Sequence, residues 1–547
     1  MKPLIVGINA KYIHSNNAIR LLKANSIHSI DIVDYTIKDD IILIYDEIRA
    51  KNPLFVGFSC YIWNIEVVKK IVGMIKKNTN IPVVLGGPEV SYDPDYFLKT
   101  MNVDIIVKGE GENVIDSIID HYLTGTTLAD TPSISTSTVN TPITEIENLD
   151  ILKSPHFFPE DIPHIPNKIA YVESSRGCPY RCSYCISSLE KHVRFFSVSS
   201  VKNNLKYLFD NGVKTVKFLD RTFNANTQAP SIIDFIIAYA PENTSVQFEM
   251  TGDTLGEALI DHIHKHAPAG LFRFEIGIQS TNEKTNTLVG RHQNNNRLFD
   301  NIEKIINRGK IDLHLDLIAG LPEENLNRFK QTFNEVYNLG AKELQLGFLK
   351  MLRGTRIRNE AGKFNYHFDE NAPYEIIRND HLDEDDLATI RNVETALNIF
   401  HNKGYFNDTL LTIVLDNYKD YFDFFLRLYD HYAEDHPLKG YQIEDVYGGV
   451  HGFLMHEGID NDTLDNLKMT YLRRSRIKPK GYFEKIHDKP LRTKLLSHCA
   501  KHHDIDLNTL YKHSLITPYK KGYAIALYTP DGPRIMQVEA SKIGSGS

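Results

Sequence analysis

One pattern narrows the fold more than any other. Apolar runs of strand length alternate with amphipathic helical stretches, and they do so in two successive series. In residues 1–123, "PLIVGIN", "SIDIVDYT", "LFVGFSCY", "PVVLGGPE" and "DIIVKGEG" read as five buried strands. Between them, "NIEVVKKIVGMIKK" sets Ile65, Val68, Ile71, Val72 and Ile75 on one helical face. This is the βα alternation of a parallel, doubly wound α/β sheet. Ligands of such sheets bind beyond the carboxyl ends of the strands. Polar residues and glycines collect at those ends, in Asn9 to His14, Ser59 to Trp63, Gly86-Gly87-Pro88 and Gly109-Glu110-Gly111-Glu112.

The second series occupies residues 168–360. Its strands are "KIAYVESS", "TVKFLDRT", "VQFEMTG", "LFRFEIGIQ", "DLHLDLIAG" and "ELQLGFLK". Six strands with outer helices predict a partial (β/α)6 TIM-like barrel rather than a full eight-stranded one. Asp220, Glu249, Glu275, Gln279, Asp316 and Gln345 stand near successive strand ends, where a barrel carries its active-site rim. Between the two series, "GTTLADTPSISTSTVNTPIT" and then "SPHFFPEDIPHIP" make residues 124–167 read as a linker. Residues 361–547 read as a mostly helical C-terminal domain. Its tail, "YAIALYTPDGPRIMQVE", reads as a hairpin turning at "PDG".

With 547 residues the chain is too long for one ordinary core, and 42% apolar with 24% charged residues is a globular composition. The net charge of −8 argues against general nucleic-acid binding. Lys468 to Lys501 nevertheless holds eleven Lys or Arg against two acids, which reads as a solvated helical surface or a contact for a phosphate-rich partner. No uncharged apolar run approaches the ~18 residues of a membrane span, and "MKPLIVGINAKY" lacks the features of a signal peptide. A cytoplasmic setting is the expectation. The final "GSGS" reads as an appended linker.

Three of the five cysteines fall within "SRGCPYRCSYC", at Cys178, Cys182 and Cys185. Cys60 and Cys499 lie far from them and from each other, so a disulfide scaffold is not expected, and clustered thiols point to metal. Structural zinc takes four ligands, usually as two separated pairs. No second pair exists, which leaves His192 as the possible fourth ligand. Three thiolates on one loop also suit a [4Fe-4S] cubane with one iron left open.

"CPYRCSYC" resembles the C-x3-C-x-aromatic-C signature of radical S-adenosylmethionine (SAM) enzymes. The resemblance implies that Cys178, Cys182 and Cys185 hold the cluster, that the open iron chelates SAM, and that Tyr184 packs near the adenine. Reduction would then release a 5′-deoxyadenosyl radical. "FEIGIQS" resembles the family's fourth-strand motif and implies SAM contacts by Glu275, Gln279 and Ser280. "DLIAGLPEE" resembles its fifth-strand motif, with Gly320 admitting the backbone to a flat base and Leu321 and Pro322 walling it.

"NAKYIHSNNAIRLLKA", "GFSCYIWN", "VVLGGPE" and "VKGEGE" resemble the Rossmann-like cobalamin-binding domain fused to many radical SAM enzymes. The resemblance implies that Gly86, Gly87, Glu110 and Gly111 border the ring. The cobalt-ligating D-x-H-x-x-G motif is absent, and His14 does not match it. Base-off binding is therefore expected, with Tyr61, Ile62 or Trp63 shielding the lower face. A buried core position is the alternative for Trp63. The C-terminal part resembles an uncharacterised extension, and His451, His502 and His503 read as surface or core residues.

The implied activity is methylation of an unactivated carbon or a phosphinate. Cobalamin-assisted or cobalamin-independent rearrangement, cyclisation or oxidation is the runner-up. A cobalamin- or redox-sensing protein is the reading from outside the enzymes. A small-molecule substrate and an external donor of the flavodoxin or ferredoxin type are the implied partners.

Overall fold

The computed structural model describes residues 1–190, 192–479, 481–483, 486 and 488–543. The terminal "GSGS", and positions 480, 484, 485 and 487 of the basic segment, lie outside the described residues. The chain forms two compact units. One comprises Met1–Phe329 with Leu346–Leu387, the other Lys330–Gln345 with Ala388–Ser547.

The first unit opens with a sheet of β1 (Leu4–Asn9), β2 (Asp31–Thr36), β3 (Val56–Ser59), β4 (Val83–Gly86), β5 (Ile105–Val107) and β6 (Ile134–Ser135). The order is β2-β1-β3-β4-β5-β6, parallel up to β5. Successive residues of β1 point to opposite faces, so Leu4, Val6 and Ile8 enter one core and Ile5 the other. The helix Ile65–Asn78 buries Ile65, Val68, Ile71, Val72 and Ile75, the five its periodicity picks out. The strand order reverses between β1 and β3, which opens a crevice at their carboxyl ends.

The stretch expected to be a linker is built into this unit. Residues 134–135 add β6 antiparallel to β5. Asp161 takes two hydrogen bonds from Arg20, at 2.7 and 2.9 Å, and Glu160 pairs with Lys23 at 2.6 Å. Short polar segments can be held by such long-range pairs without any period of their own.

The second sheet consists of β7 (Ile169–Val172), β10 (Thr215–Phe218), β11 (Ser245–Met250), β12 (Phe272–Gln279), β13 (Ile311–Ala319) and β14 (Glu343–Phe348). A two-stranded stem, β8 (Ser175–Arg176) with β9 (Arg194–Phe195), lies between β7 and β10 in the chain. The sheet strands follow in sequence order, and β7, β10, β11, β12 and β13 pair in parallel. One face carries Val216, Phe218, Phe248, Phe274 and Leu315 and is buried. The other is only half-buried and polar. Across it, Lys217 pairs with Glu275 at 2.8 Å, Arg273 bonds His314 at 2.6 Å, and His314 bonds Asp316 at 2.9 Å. A closed barrel fills its interior with apolar layers; this open one keeps a charged inner wall.

Residues beyond the barrel return to the first sheet. The hydroxyl of Tyr374 donates to Glu89, Arg353 donates to that hydroxyl at 3.0 Å, and Arg353 also bonds Asp93.

The second unit is mainly helical, with helices such as Tyr421–Asp435, Ile443–His456 and Asn461–Arg474. It ends in a three-stranded antiparallel sheet, Ser514–Tyr519, Gly522–Thr529 and Gly532–Glu539. The last two strands are the expected hairpin. The first escapes a sequence reading because Pro518 argues against a strand, yet proline is tolerated on an edge. His451 packs against Tyr482, and His502 against His498. No helix of the described residues is long and apolar enough to cross a membrane.

Candidate functional site

The cysteine loop hangs from the β8–β9 stem, where Ser175 faces Phe195 and Arg176 faces Arg194. The chain turns into the loop at Gly177, whose φ is +92°. A Cβ there would lie 2.2 Å from the His192 carbonyl oxygen. Cys178 and Cys182 are buried and Cys185 is half-buried. Below the stem, Asp220 accepts from the Ser174 amide at 2.9 Å and from the Ser174 and Ser175 hydroxyls at 2.5 and 2.6 Å. Burial pushes the Asp220 carboxyl up to about 6, against those hydrogen bonds. Asp220 therefore holds the base of the loop rather than facing the barrel mouth.

Other rim residues are also engaged. Glu275 is paired with Lys217, Glu249 lies 3.4 Å from Arg221, and Asp316 is bonded to His314. Gln345 is exposed and belongs to the second unit. Tyr184 is half-buried and its hydroxyl accepts from Arg291 at 3.4 Å. Arg291 also donates to the Gly277 carbonyl, so one guanidinium joins the cysteine loop to the end of β12. Nothing local in "GRHQ" marks Arg291 for this task.

Gln279 sits where the β12–β13 register breaks, with φ +68°, and its Oε1 is buried without a hydrogen-bond partner. An unpaired acceptor on strained backbone at a strand end is a place where a ligand's donor would be satisfied. Ser280 is occupied, donating to Glu324 at 2.7 Å and accepting from the Asn282 amide at 3.0 Å. The Gly320 carbonyl accepts from Tyr366 at 2.9 Å and from Asn379 at 3.0 Å, and Leu321 and Pro322 are buried beside it.

A cavity of about 940 Å³ lies at the crevice of the first sheet. Tyr61, Ile62, Trp63, Gly86, Gly87, Glu110 and Gly111 all line it. So do Tyr171, Arg176, Gly177, Leu219 and Arg221 of the second series. Gly177 adjoins Cys178, so the strand-end loops of the first sheet and the root of the cysteine loop share one space. Tyr184, Glu275, Gln279, Ser280 and Gly320 are not among its walls.

Trp63 stacks on Tyr61 with ring centroids 4.3 Å apart and planes 6° apart, and it is 47% exposed, so it is no core residue. Gly87 has φ +105°, and a Cβ on it would stand 2.5 Å from the Cys60 carbonyl oxygen. Its missing side chain clears the neighbouring strand end, not the cavity. His14, which no motif singles out, also lines the cavity, with Nδ1 2.6 Å from the Tyr171 hydroxyl.

Three family models match the chain. The radical SAM superfamily covers residues 172–336 and the B12 binding domain covers residues 3–119. A protein of unknown function, DUF4080, covers residues 362–521. The chain belongs to the radical SAM enzymes that carry a B12-binding domain. An uncharacterized methyltransferase of Pyrococcus horikoshii is 26% identical over 355 residues, 60% of this chain and 74% of that protein. The cobalamin-dependent radical SAM methyltransferase TokK of Streptomyces tokunonensis is 24% identical over 324 residues, 53% of this chain and 46% of TokK, so the match spans less than half of that relative. Among solved structures, the cobalamin-dependent S-adenosylmethionine radical enzyme OxsB, with aqua-cobalamin and S-adenosylmethionine bound, has a TM-score of 0.61. The identity is 14%, over 86% of this chain and 79% of OxsB, a likeness of fold.

The cofactors of this B12-binding radical SAM enzyme are accordingly a [4Fe-4S] cluster, SAM and cobalamin. The residues present fit them. Among the described residues, no three His, Cys, Asp or Glu side chains converge on the position of a single metal ion. A cubane does not require convergence, because it places each thiolate on a different iron. For cobalamin, the flat Tyr61–Trp63 stack and the glycine-bearing loops leave a broad apolar wall beside the crevice.

Proposed function

We propose that this enzyme methylates an unactivated carbon of a small molecule, in a space shared by its two cofactor-binding halves. One observation carries the reading: the strand-end loops of the first sheet and the root of the cysteine loop line a single cavity. Two relatives named as methyltransferases support it. When bound, the cluster with SAM supplies a radical initiator and cobalamin supplies a methyl carrier.

In this reading Cys178, Cys182 and Cys185 hold the cluster. Arg291 fixes Tyr184 beside it, Gln279 offers SAM an acceptor, and Lys217 keeps Glu275 in place. Ser280 acts through Glu324. Tyr61 and Trp63 form the cobalamin wall, and Gly86, Gly87 and Gly111 form its border; the Glu110 carboxylate is turned to Arg176 and Arg194. The walls exclude water and hold the substrate within the roughly 3–3.5 Å that hydrogen abstraction needs. An external flavodoxin- or ferredoxin-type donor and a cytoplasmic, reducing setting belong to the same proposal, since the cluster must be reduced and the thiols kept free.

The test is anaerobic reconstitution with reductant and SAM bearing a trideuterated methyl group. The expected result is release of 5′-deoxyadenosine together with recovery of the label in the cobalamin fraction. Deoxyadenosine without that label would replace methylation by rearrangement, cyclisation or oxidation. Neither product would leave a cobalamin- or redox-sensing protein.

Trp63→Ala should weaken hydroxocobalamin binding about tenfold, the loss of roughly 1.5 kcal/mol of aromatic contact. Quenching of Trp63, the only tryptophan of the chain, gives the wild-type affinity, and absorbance gives that of the variant. An unchanged affinity would remove Trp63 from the site.

A further inference from the structure

The stem that carries the cysteine loop is two residues long, and one of its two cross-strand pairs is Arg176 opposite Arg194. Like charges facing each other across an antiparallel pair oppose its closure. Both side chains are also largely buried, at 11% and 5% exposure, where unpaired charge is most costly. The stem's own neighbours engage one guanidinium each, Glu173 bonding Arg176 at 3.0 Å and Glu190 standing 3.6 Å from Arg194.

A carboxylate from the first sheet's domain lies between the two guanidinium groups. Glu110 accepts from Arg176 Nη1 at 2.9 Å and from Arg194 Nη1 at 2.9 and 3.0 Å. Its Oε2 also takes the Ile146 amide at 2.6 Å, and the Ile146 carbonyl takes Arg194 at 2.9 Å. Glu112 and Glu173 bond Arg176, at 2.8 and 3.0 Å, and Glu145 and Glu190 stand 3.8 and 3.6 Å from Arg194. Among the described residues, Glu110 hydrogen-bonds both arginines.

We infer that Glu110 is a positioning residue for the radical chemistry: it pins the cysteine loop shut from the B12-binding domain and so fixes the three thiols against the barrel. The inference rests on the cysteine loop being the cluster loop. It does not require Glu110 to touch cobalamin, the role its sequence context suggests.

The experiment uses the full-length holoprotein. Glu110→Gln keeps the size and removes the charge. Amide hydrogen exchange in residues 177–190 should speed up at least tenfold, while exchange in β11 and β12 stays at the wild-type rate and cobalamin is retained. The change that SAM induces in the electron paramagnetic resonance signal of the reduced cluster should broaden or vanish. Arg194→Lys, which keeps the charge but loses the fork, should show the same local loosening. In the double variant Glu110→Gln/Arg194→Lys the effects should not add, because both changes break one contact.

Wild-type exchange in the loop of either single variant would overturn the inference. So would cobalamin loss with the loop still protected, which would return Glu110 to the cobalamin border. If Glu110→Gln fails to fold, Arg194→Lys alone decides. Failure of the methylation reading would leave these loop measurements untouched, and loss of the pin would leave label recovery in the wild type untouched.

Discussion

Cys182→Ala should turn a brown protein colourless. Anaerobically prepared wild type is expected to hold about four irons per chain on its three thiolates. The variant should fall to near zero iron and release no 5′-deoxyadenosine from SAM. Backbone hydrogen bonds tie the loop down beside Cys182. The Cys182 carbonyl takes the Cys185 amide at 3.1 Å, and the neighbouring Ser183 amide is bound to the Val289 carbonyl at 2.7 Å. The remaining cysteines, Cys60 and Cys499, are fully buried. Cobalamin retention should stay at the wild-type level, which separates loss of the cluster from loss of the fold. A variant that kept its iron and its deoxyadenosine release would show the ligand assignment to be wrong.

Gly87→Val should unseat cobalamin, and Gly86→Ala should not. At Gly87 a side chain meets backbone in a conformation that favours glycine. The Cys60 amide donates to the Gly86 carbonyl at 2.7 Å and the Glu89 amide to the Cys60 carbonyl at 3.3 Å, so Cys60 cannot retreat without breaking the join of β3 to β4. Positive-φ strain of about 1–3 kcal/mol and overpacking of about 1–3 kcal/mol together put the loss at about 2–6 kcal/mol. A Cβ on Gly86 would make ordinary contact with Val107 at 3.6 Å. Thermal unfolding and cobalamin content measured side by side check this. Equal retention by the two variants would show that the close approach to Cys60 does not govern the site.

The parts of this molecule that were legible in the sequence are those with a local period. The strands of both sheets declare themselves by apolar runs, the helix Ile65–Asn78 by its buried stripe, and the cysteines by their spacing. What stayed hidden is long-range. Asp161 binds Arg20 and Glu110 binds Arg194, and no window of sequence contains both partners. The two residues of β6 are too few to show an alternation, and they sit among threonines and serines that read as a tether. At Gly87 the absent Cβ would face the Cys60 carbonyl rather than the cavity, and a sequence does not say which way an absent Cβ would point. Arg291 and His14 carry no motif, and they acquire meaning only from what the fold sets beside them.

The contact between Glu89 and Tyr374 also bears on the order in which the protein is made. The two residues are 285 positions apart, with the acid in the first sheet's domain and the hydroxyl beyond the barrel. At about 5–20 residues per second, a ribosome needs roughly 15–60 s to get from one to the other. During that interval the Pro88–Ser91 turn of helix has no hydroxyl or guanidinium to bury its carboxylate against, and an unpaired carboxylate stays in water. The cavity wall at Gly87–Glu89 is thus synthesised ahead of the barrel and sets only after it. A nascent chain can present its cysteines well before it can offer cobalamin a finished crevice, so the two cofactors meet a protein at different stages of completion.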